Sequence, residues 1–284
     1  MSDLESATPP RASHGGSRGI PSLTLPFAAP ALLFAVFVLL PLVALTLRAA
    51  GDGDLWARLG TPFVLHALRL SLITSTVTLA IALLLGVPAA YLLARTRFPG
   101  HRFLTVLVEV PMVLPPTVAG VGLLVAFGRR GIFGEWLAGA GIEVPFTTTA
   151  VILAQLFVSA PFLVRSLQAG FESIDPTYEQ VSATLGVSAP RTFWRITLRL
   201  ARPALVSGAV LCWTRALSEL GATLIFAGSF EGRTQTMPLA IIAALESSAG
   251  LPGAIALSVI LLAVALVLLV AMRFALRRPL GIEA

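Results

Sequence analysis

Six apolar runs, near residues 27–47, 66–94, 103–127, 148–169, 204–227 and 253–275, decide what this chain can fold into. Crossing a hydrocarbon core of about 30 Å takes roughly 20 helical residues, and each run is of that order. Lipid offers no hydrogen bonds, so each crossing must satisfy its own backbone, which for runs of this kind means a helix. Composition agrees. The 284 residues are 56% hydrophobic and 12% charged, with mean hydropathy +0.90, whereas soluble domains carry about 25% charged residues. The expected fold is therefore an all-α integral membrane protein with six transmembrane helices. Residues 1–25, rich in Ser, Pro, Gly and Arg and without periodicity, read as a disordered tail, and 26–284 as one membrane domain. The first run is too long for a signal-peptide core and no small-residue cleavage site follows it, so it is expected to be a retained helix.

Every one of the 20 basic residues is arginine, and their placement sets the orientation. Arg11, Arg18, Arg95, Arg97, Arg102, Arg191, Arg195, Arg199, Arg202, Arg273, Arg277 and Arg278 fall in one set of alternate segments. Arg48, Arg58, Arg129, Arg130 and Arg233 fall in the other, with Asp52, Asp54, Glu135, Glu143 and Glu231 among them. This twelve-to-five bias predicts cytoplasmic termini. The net charge of +6 is spread over several loops, so nucleic-acid binding is not expected. A single cysteine, Cys212, excludes a disulfide framework and a cysteine-based metal site. His14, His66 and His101 lie at no metal-ligand spacing. The chain has no HExxH, GxSxG or GxxxxGK[ST] pattern, and thus no evident metal, catalytic or nucleotide site of its own. It is not expected to be an enzyme or to bind a cofactor.

Within the spans, Pro88, Pro111, Pro115 and Pro116 remove backbone donors and bend helices. The Pro111–Gly122 run reads either as a bent helix lining a pathway or as a packing kink with small residues for close approach. Ionisable groups inside spans are costly. Glu109 lies about two turns into the third run. Arg215 and Glu219, four apart, are expected to share a helix face and neutralise one another as a structural pair. Substrate contact is the other possibility.

The one long polar segment inside the membrane domain, about 171–203, reads as helix, turn, helix. Asp175-Pro176 starts a helix of about ten residues, with Glu179 early enough to favour the positive end of the helix dipole, and Gly186 permits a left-handed turn. After Pro190, Arg191, Arg195, Arg199 and Arg202 form one stripe opposite Phe193, Trp194, Ile196, Leu198 and Leu200. A membrane surface alone accounts for that stripe. The short polar helix held off the membrane before it suits a socket on a soluble partner.

This loop resembles the EAA signature of importer permeases of the ATP-binding cassette class. Gln180-Val181-Ser182 stands in place of EAA, Gly186 takes the glycine's place, and Ile196 and Leu198 follow in register. The pattern departs at Gln180, Val181, Ser182 and Arg199. The resemblance implies the type I importer permease fold, and a coupling helix that seats on a cytoplasmic ATPase dimer through Glu179, Gln180, Ser182, Gly186, Val187 and Arg191. It also implies a second permease copy with the path between the two, an extracytoplasmic binding protein, and residence in a bacterial plasma membrane. ATP and its magnesium would be used by the ATPase.

Thr214–Glu246 further resembles the RALGEFGAT and TQTMPLAIY segments of molybdate permeases, through Gly221-Ala222-Thr223 and Thr234-Gln235-Thr236-Met237-Pro238-Leu239. Ser218 and Leu220 depart from that pattern. Sulfate permeases share part of it, so sulfate, thiosulfate and tungstate are the alternative cargoes. Weak neutral donors suit an oxyanion in transit, because conduction needs release as well as binding. Pro115, Thr117, Gly120, Ser218, Glu219 and Thr223 are the expected path residues. A rival of another class, an ion-coupled secondary transporter, would need coupling acids and internal repeats. Glu109 and Glu219 are its only candidate acids, and no repeat is seen.

Overall fold

The computed structural model describes residues 24–53, 55, 57 and 60–277. The expected tail lies outside these up to residue 23, as do Arg58 and Arg278. All regular structure among the described residues is helical. The chain divides into two units at Thr46. The described part of the first belongs to α1 (Thr24–Ala50), apolar and long enough to cross a membrane despite Pro30 and Pro41.

The second unit is built around α2 (Pro62–Arg95) and α6 (Thr148–Glu172). Between them the chain forms α3 (His101–Val113), α4 (Pro116–Phe127) and the short α5 (Gly134–Gly139). After α6 come α7 (Thr177–Thr184) and α8 (Ala189–Leu200), the latter π-helical over Phe193–Thr197. α9 (Arg202–Leu217), α10 (Gly221–Ala227), α11 (Met237–Glu246) and α12 (Gly250–Arg277) complete the chain.

α6 is the most deeply buried of the long apolar helices, and it serves two apolar clusters. Leu163, Val164, Leu167 and Phe171 meet Ala82, Ala90 and Leu93 of α2, with Cys212 of α9 closing the group. One end of the same helix sends Ala150, Val151, Ala154 and Val158 against Ala119 and Leu123 of α4 and Ala222 and Phe226 of α10. A third cluster joins Val64 and Ala67 of α2 to Met237 and Ala240 of α11 and Leu257 of α12. Small residues let α9 approach α6: a Cβ on Gly208 would stand 2.9 Å from that of Ser166, and the Ser166 hydroxyl donates to the Ala204 carbonyl at 2.9 Å.

Two expected spans are broken. The third is α3 and α4, which meet at 117°. Pro115 and Pro116 have no N–H to continue the hydrogen-bond ladder, and a residue before proline is pushed out of the helical region: Leu114 is extended at ψ 135°. The fifth, expected as one helix over 204–227, is corrected. α9 stops at Leu217, Ser218-Glu219-Leu220 form a break, and α10 restarts at Gly221. α8 and α9 meet at 75° around Ala201, with Pro203 in the first turn of α9. By length and composition, four helices among the described residues can cross a membrane, or up to six crossings if each of the two bent pairs counts as one.

Candidate functional site

On the side where α2 and α6 end, the polar loop forms the helix–turn–helix expected of it. The Asp175 carboxylate accepts the Thr177 N–H at 2.8 Å and opens α7. Hydrogen bonds from Thr177, with a smaller contribution from Arg95, hold that carboxyl below its usual range. α7 closes in a Schellman motif: Val187 N–H bonds to Ser182 O at 3.1 Å and Gly186 N–H to Ala183 O at 2.9 Å. Gly186 has φ +76°, with nothing within 4 Å of where a Cβ would stand. Glycine is needed there for conformation, not for space.

Two expected docking contacts turn inward instead. Glu179 is held by Arg95 of α2 at 3.3 Å and by the Thr197 hydroxyl of α8 at 2.8 Å. Arg95 also donates to the Ile174 carbonyl at 3.1 Å. Ser182 is buried, 2.7 Å from the Thr192 hydroxyl. Both residues tie α7 to the body of the unit. The surface left free on α7 carries Tyr178, Val181 and Leu185, all exposed and spaced three and four apart, hence on one face. Gln180, Gly186 and Arg191 are exposed beside it, and Val187 is half-buried. Sequence reasoning missed this triplet because it followed charge. An apolar stripe on an otherwise polar helix was the available signal.

α8 departs from a regular amphipathic helix. Its three arginines, Arg191, Arg195 and Arg199, are exposed, as is Arg202 at the start of α9, and Phe193 and Leu198 pack inward as expected, but Trp194 stands 66% exposed. The π-helical turn at Phe193–Thr197 widens the spacing locally, so a 3.6-residue projection misplaces that ring.

At the other break, Glu219 is 1% exposed. Its carboxylate meets Arg215 at 2.7 Å and accepts the Ala222 N–H at 2.7 Å. The ion pair exists, but not on one helix face: Glu219 lies beyond the end of α9 and caps α10, where the freed N–H groups favour an anion. α10 crosses α4 at very short range. A Cβ on Gly120 would fall 2.8 Å from the Ile225 Cβ and 2.9 Å from the Ala222 carbonyl; one on Gly221 would fall 2.9 Å from the Pro116 Cβ. Of the expected path residues, Pro115, Thr117 and Ser218 are exposed, while Gly120, Glu219 and Thr223 are buried. The Thr223 hydroxyl has no protein partner among the described residues.

A row of hydroxyls escaped the sequence reading. Ser71, Thr74, Ser75 and Thr78, spaced as one face of α2, are fully buried. Ser71 accepts the Met237 N–H at 2.7 Å, and Thr78 donates to the Gln155 amide oxygen of α6 at 3.1 Å. Thr234 accepts the Phe230 N–H at 2.9 Å and donates to the Gly228 carbonyl at 3.1 Å. Thr234 and the Met237 N–H, within the TQTMPL segment, thus hold the turn into α11.

The unit thus combines a short helix–turn–helix beside the ends of α2 and α6 with two broken apolar helices. Residues 82–279 match the family model described as binding-protein-dependent transport system inner membrane component. The chain is 45% identical over 254 residues to the molybdenum transport system permease protein ModB of Mycobacterium tuberculosis, covering 89% of this chain and 94% of that protein. It is 35% identical over 254 residues to the sulfate transport system permease protein CysT of Escherichia coli, covering 89% and 91%. Its fold is similar to that of a chain from the crystal structure of a bacterial ABC transporter involved in the import of the acidic polysaccharide alginate. There the TM-score is 0.74 at 16% identity, over 91% of this chain and 96% of that one. The chain belongs to the binding-protein-dependent transport system inner membrane component family and is a multi-pass membrane protein.

Proposed function

We propose that this chain is the non-catalytic permease subunit of an ATP-driven importer that carries molybdate into the cytoplasm. The observation that carries the reading is 45% identity to a molybdenum permease along 89% of the chain. Each bent pair then counts as one crossing, which gives six spans, cytoplasmic termini and a place in the bacterial plasma membrane. Two copies enclose the path, an external binding protein delivers the anion, and a cytoplasmic ATPase dimer receives α7. The contact face is Tyr178, Val181 and Leu185 with Gln180, Gly186, Val187 and Arg191.

Glu179 and Ser182 act one layer in, as positioning residues. When the ATPases close they move α7, and the Glu179–Arg95 and Ser182–Thr192 links pass that displacement to α2 and α8. A helix resting on the membrane surface would need no such anchorage. ATP and its magnesium belong to the partner, and this chain holds neither.

Sulfate is the second reading, favoured by the 35% identity to a sulfate permease over a similar length. The deciding experiment is uptake of radiolabelled molybdate into proteoliposomes holding the assembled complex and binding protein, with ATP inside. We expect ATP-dependent uptake, inhibited by tungstate and only weakly by sulfate. Stronger inhibition by sulfate than by tungstate would move the assignment to sulfate. Uptake driven by an ion gradient without ATP would remove the importer assignment altogether.

A further inference from the structure

α6 is lined by neighbours for most of its length, and between Ala150 and Val164 no residue is exposed. The first to open is Arg165, seven residues before the helix ends at Glu172 and so about 10 Å inside that end. Glu109 of α3 meets it at 3.1 Å, with the two side chains 44% and 39% exposed. Arg165 also donates to the Gln168 amide oxygen at 3.0 Å, and the Gln168 amide donates to Glu172 at 2.9 Å. A polar track therefore runs along one face of α6, from Arg165 to the mouth of the docking loop.

Half-exposed charges at such a depth are expensive against lipid. They have a low-energy place where that face meets water, and in a paired permease the path between the copies supplies it. The geometry there suits a tetrahedral anion. Arg165 offers a planar fork that fits a carboxylate or an oxyanion equally well, and the carboxylate now in contact with it is replaceable. An unpaired arginine would hold a dianion too tightly to release it. One already neutralised by Glu109 binds only by the difference between two partners, which is the weak affinity that conduction requires.

We propose that the Glu109–Arg165 pair is an anion-responsive latch on the membrane path. Arg165 is the fixed cation met by a tetrahedral dianion, and Glu109 is the carboxylate that the dianion displaces as α3 moves off α6. This rests on the importer reading, but its test is separable from it. The alternative role is packing, in which the pair only fastens α3 to α6.

The test uses the assembled complex in proteoliposomes, in two arms. In the first, Glu109→Cys is labelled with a membrane-impermeant anionic thiol reagent beside Leu84→Cys, at an exposed apolar position of α2; the native Cys212 is buried. We expect labelling at Glu109→Cys about tenfold faster, as for a water-lined site, and slowed by molybdate but not by chloride. Equal rates at the two positions, or no protection by molybdate in a complex that takes molybdate up, overturn the proposal. In the second arm both charges are replaced by apolar residues, Glu109→Leu with Arg165→Met. A packing pair tolerates such a replacement, whereas a latch loses uptake about 100-fold, the scale of a lost charge-assisted contact, and Arg165→Lys recovers part of it. Wild-type uptake by the apolar pair overturns the proposal. If that variant does not assemble, the labelling arm decides alone. Failure of the wild type to take up molybdate would count against the cargo assignment, while the labelling contrast would still locate the path.

Discussion

Gly186, at the end of α7, and Gly120, where α4 crosses α10, are both residues that a side chain would damage, but the damage has opposite origins. Gly186 sits in open space with φ +76°. The backbone conformation excludes other residues there, while the surroundings would admit almost any. Gly120 is unremarkable in conformation and is hemmed in by Ile225 and the Ala222 backbone at 2.8–3.0 Å. The first glycine shapes an exposed turn. The second lets α4 and α10 touch. Substitution at one should disturb assembly and leave the subunit folded; substitution at the other should disturb the subunit itself.

The largest effect is therefore expected at Gly120. Gly120→Val puts a branched side chain against backbone that cannot yield, and overpacking of this kind costs about 1–3 kcal/mol. We expect poor yield of folded permease and a lower thermal midpoint in detergent. A variant as stable as wild type would mean that α4 and α10 separate freely, and the crossing would lose its structural meaning. Gly186→Val is expected to cost about 1–2 kcal/mol, confined to the turn, since a β-branched residue is disfavoured at positive φ. Here the permease should remain stable while ATPase co-purification and uptake fall together. If both survive, α7 is not the docking helix.

Breaking the link behind the docking helix should cost less. Arg95 and Glu179 have side chains 11% and 21% exposed, between the exposed and the buried regime. Either alanine variant is expected to cost about 1 kcal/mol. A double-mutant cycle should show coupling, because the pair shares one contact. The informative readout is the ratio of uptake to ATP hydrolysis in the assembled complex. A positioning role predicts hydrolysis with reduced transport, and an unchanged ratio would leave Glu179 as a local anchor only.

Thr223 tests the other region more gently. Its hydroxyl is buried without a protein partner among the described residues, so Thr223→Val removes an unsatisfied group at nearly constant shape. The fold should gain up to about 1 kcal/mol or stay neutral. A large loss of uptake in a permease of unchanged or raised stability would show that the hydroxyl meets the anion in another state.

How far the sequence could be read divides along the same lines. Gly186 was legible because a helix start at Asp175-Pro176 and a glycine at the right distance describe a turn locally. The break at Pro115-Pro116 was legible as a bend for a similar reason, although its 117° angle was not. The break at Ser218–Leu220 was hidden. Nothing in that run stops a helix, and the stop comes from Glu219 reaching both Arg215 and the start of α10. The inward pairing of Glu179 was not legible, because its partners, Arg95 and Thr197, are brought to it only by the fold. The hydroxyls at 71, 74, 75 and 78 were spaced visibly enough to be noticed, but inside a strongly apolar run their period was outweighed by the composition.

The smallest expected effect returns to the docking side, at Asp175. This carboxylate is fully exposed, and hydrogen bonds from Thr177 hold its pKa below the ordinary value, which is about 3.9. A lowered pKa in the folded state means that ionised Asp175 favours the ordered start of α7. That contribution is complete above the ordinary carboxylate range and is lost as pH falls through the lowered value. A spin label at position 178, on the exposed face of α7, should gain mobility in acid, below about pH 4. Asp175→Asn should remove the pH dependence, because the amide does not titrate, while keeping an acceptor for the Thr177 N–H. A label equally mobile in both proteins at every pH would mean that the Schellman turn at Gly186, rather than the acidic start, alone orders the docking helix.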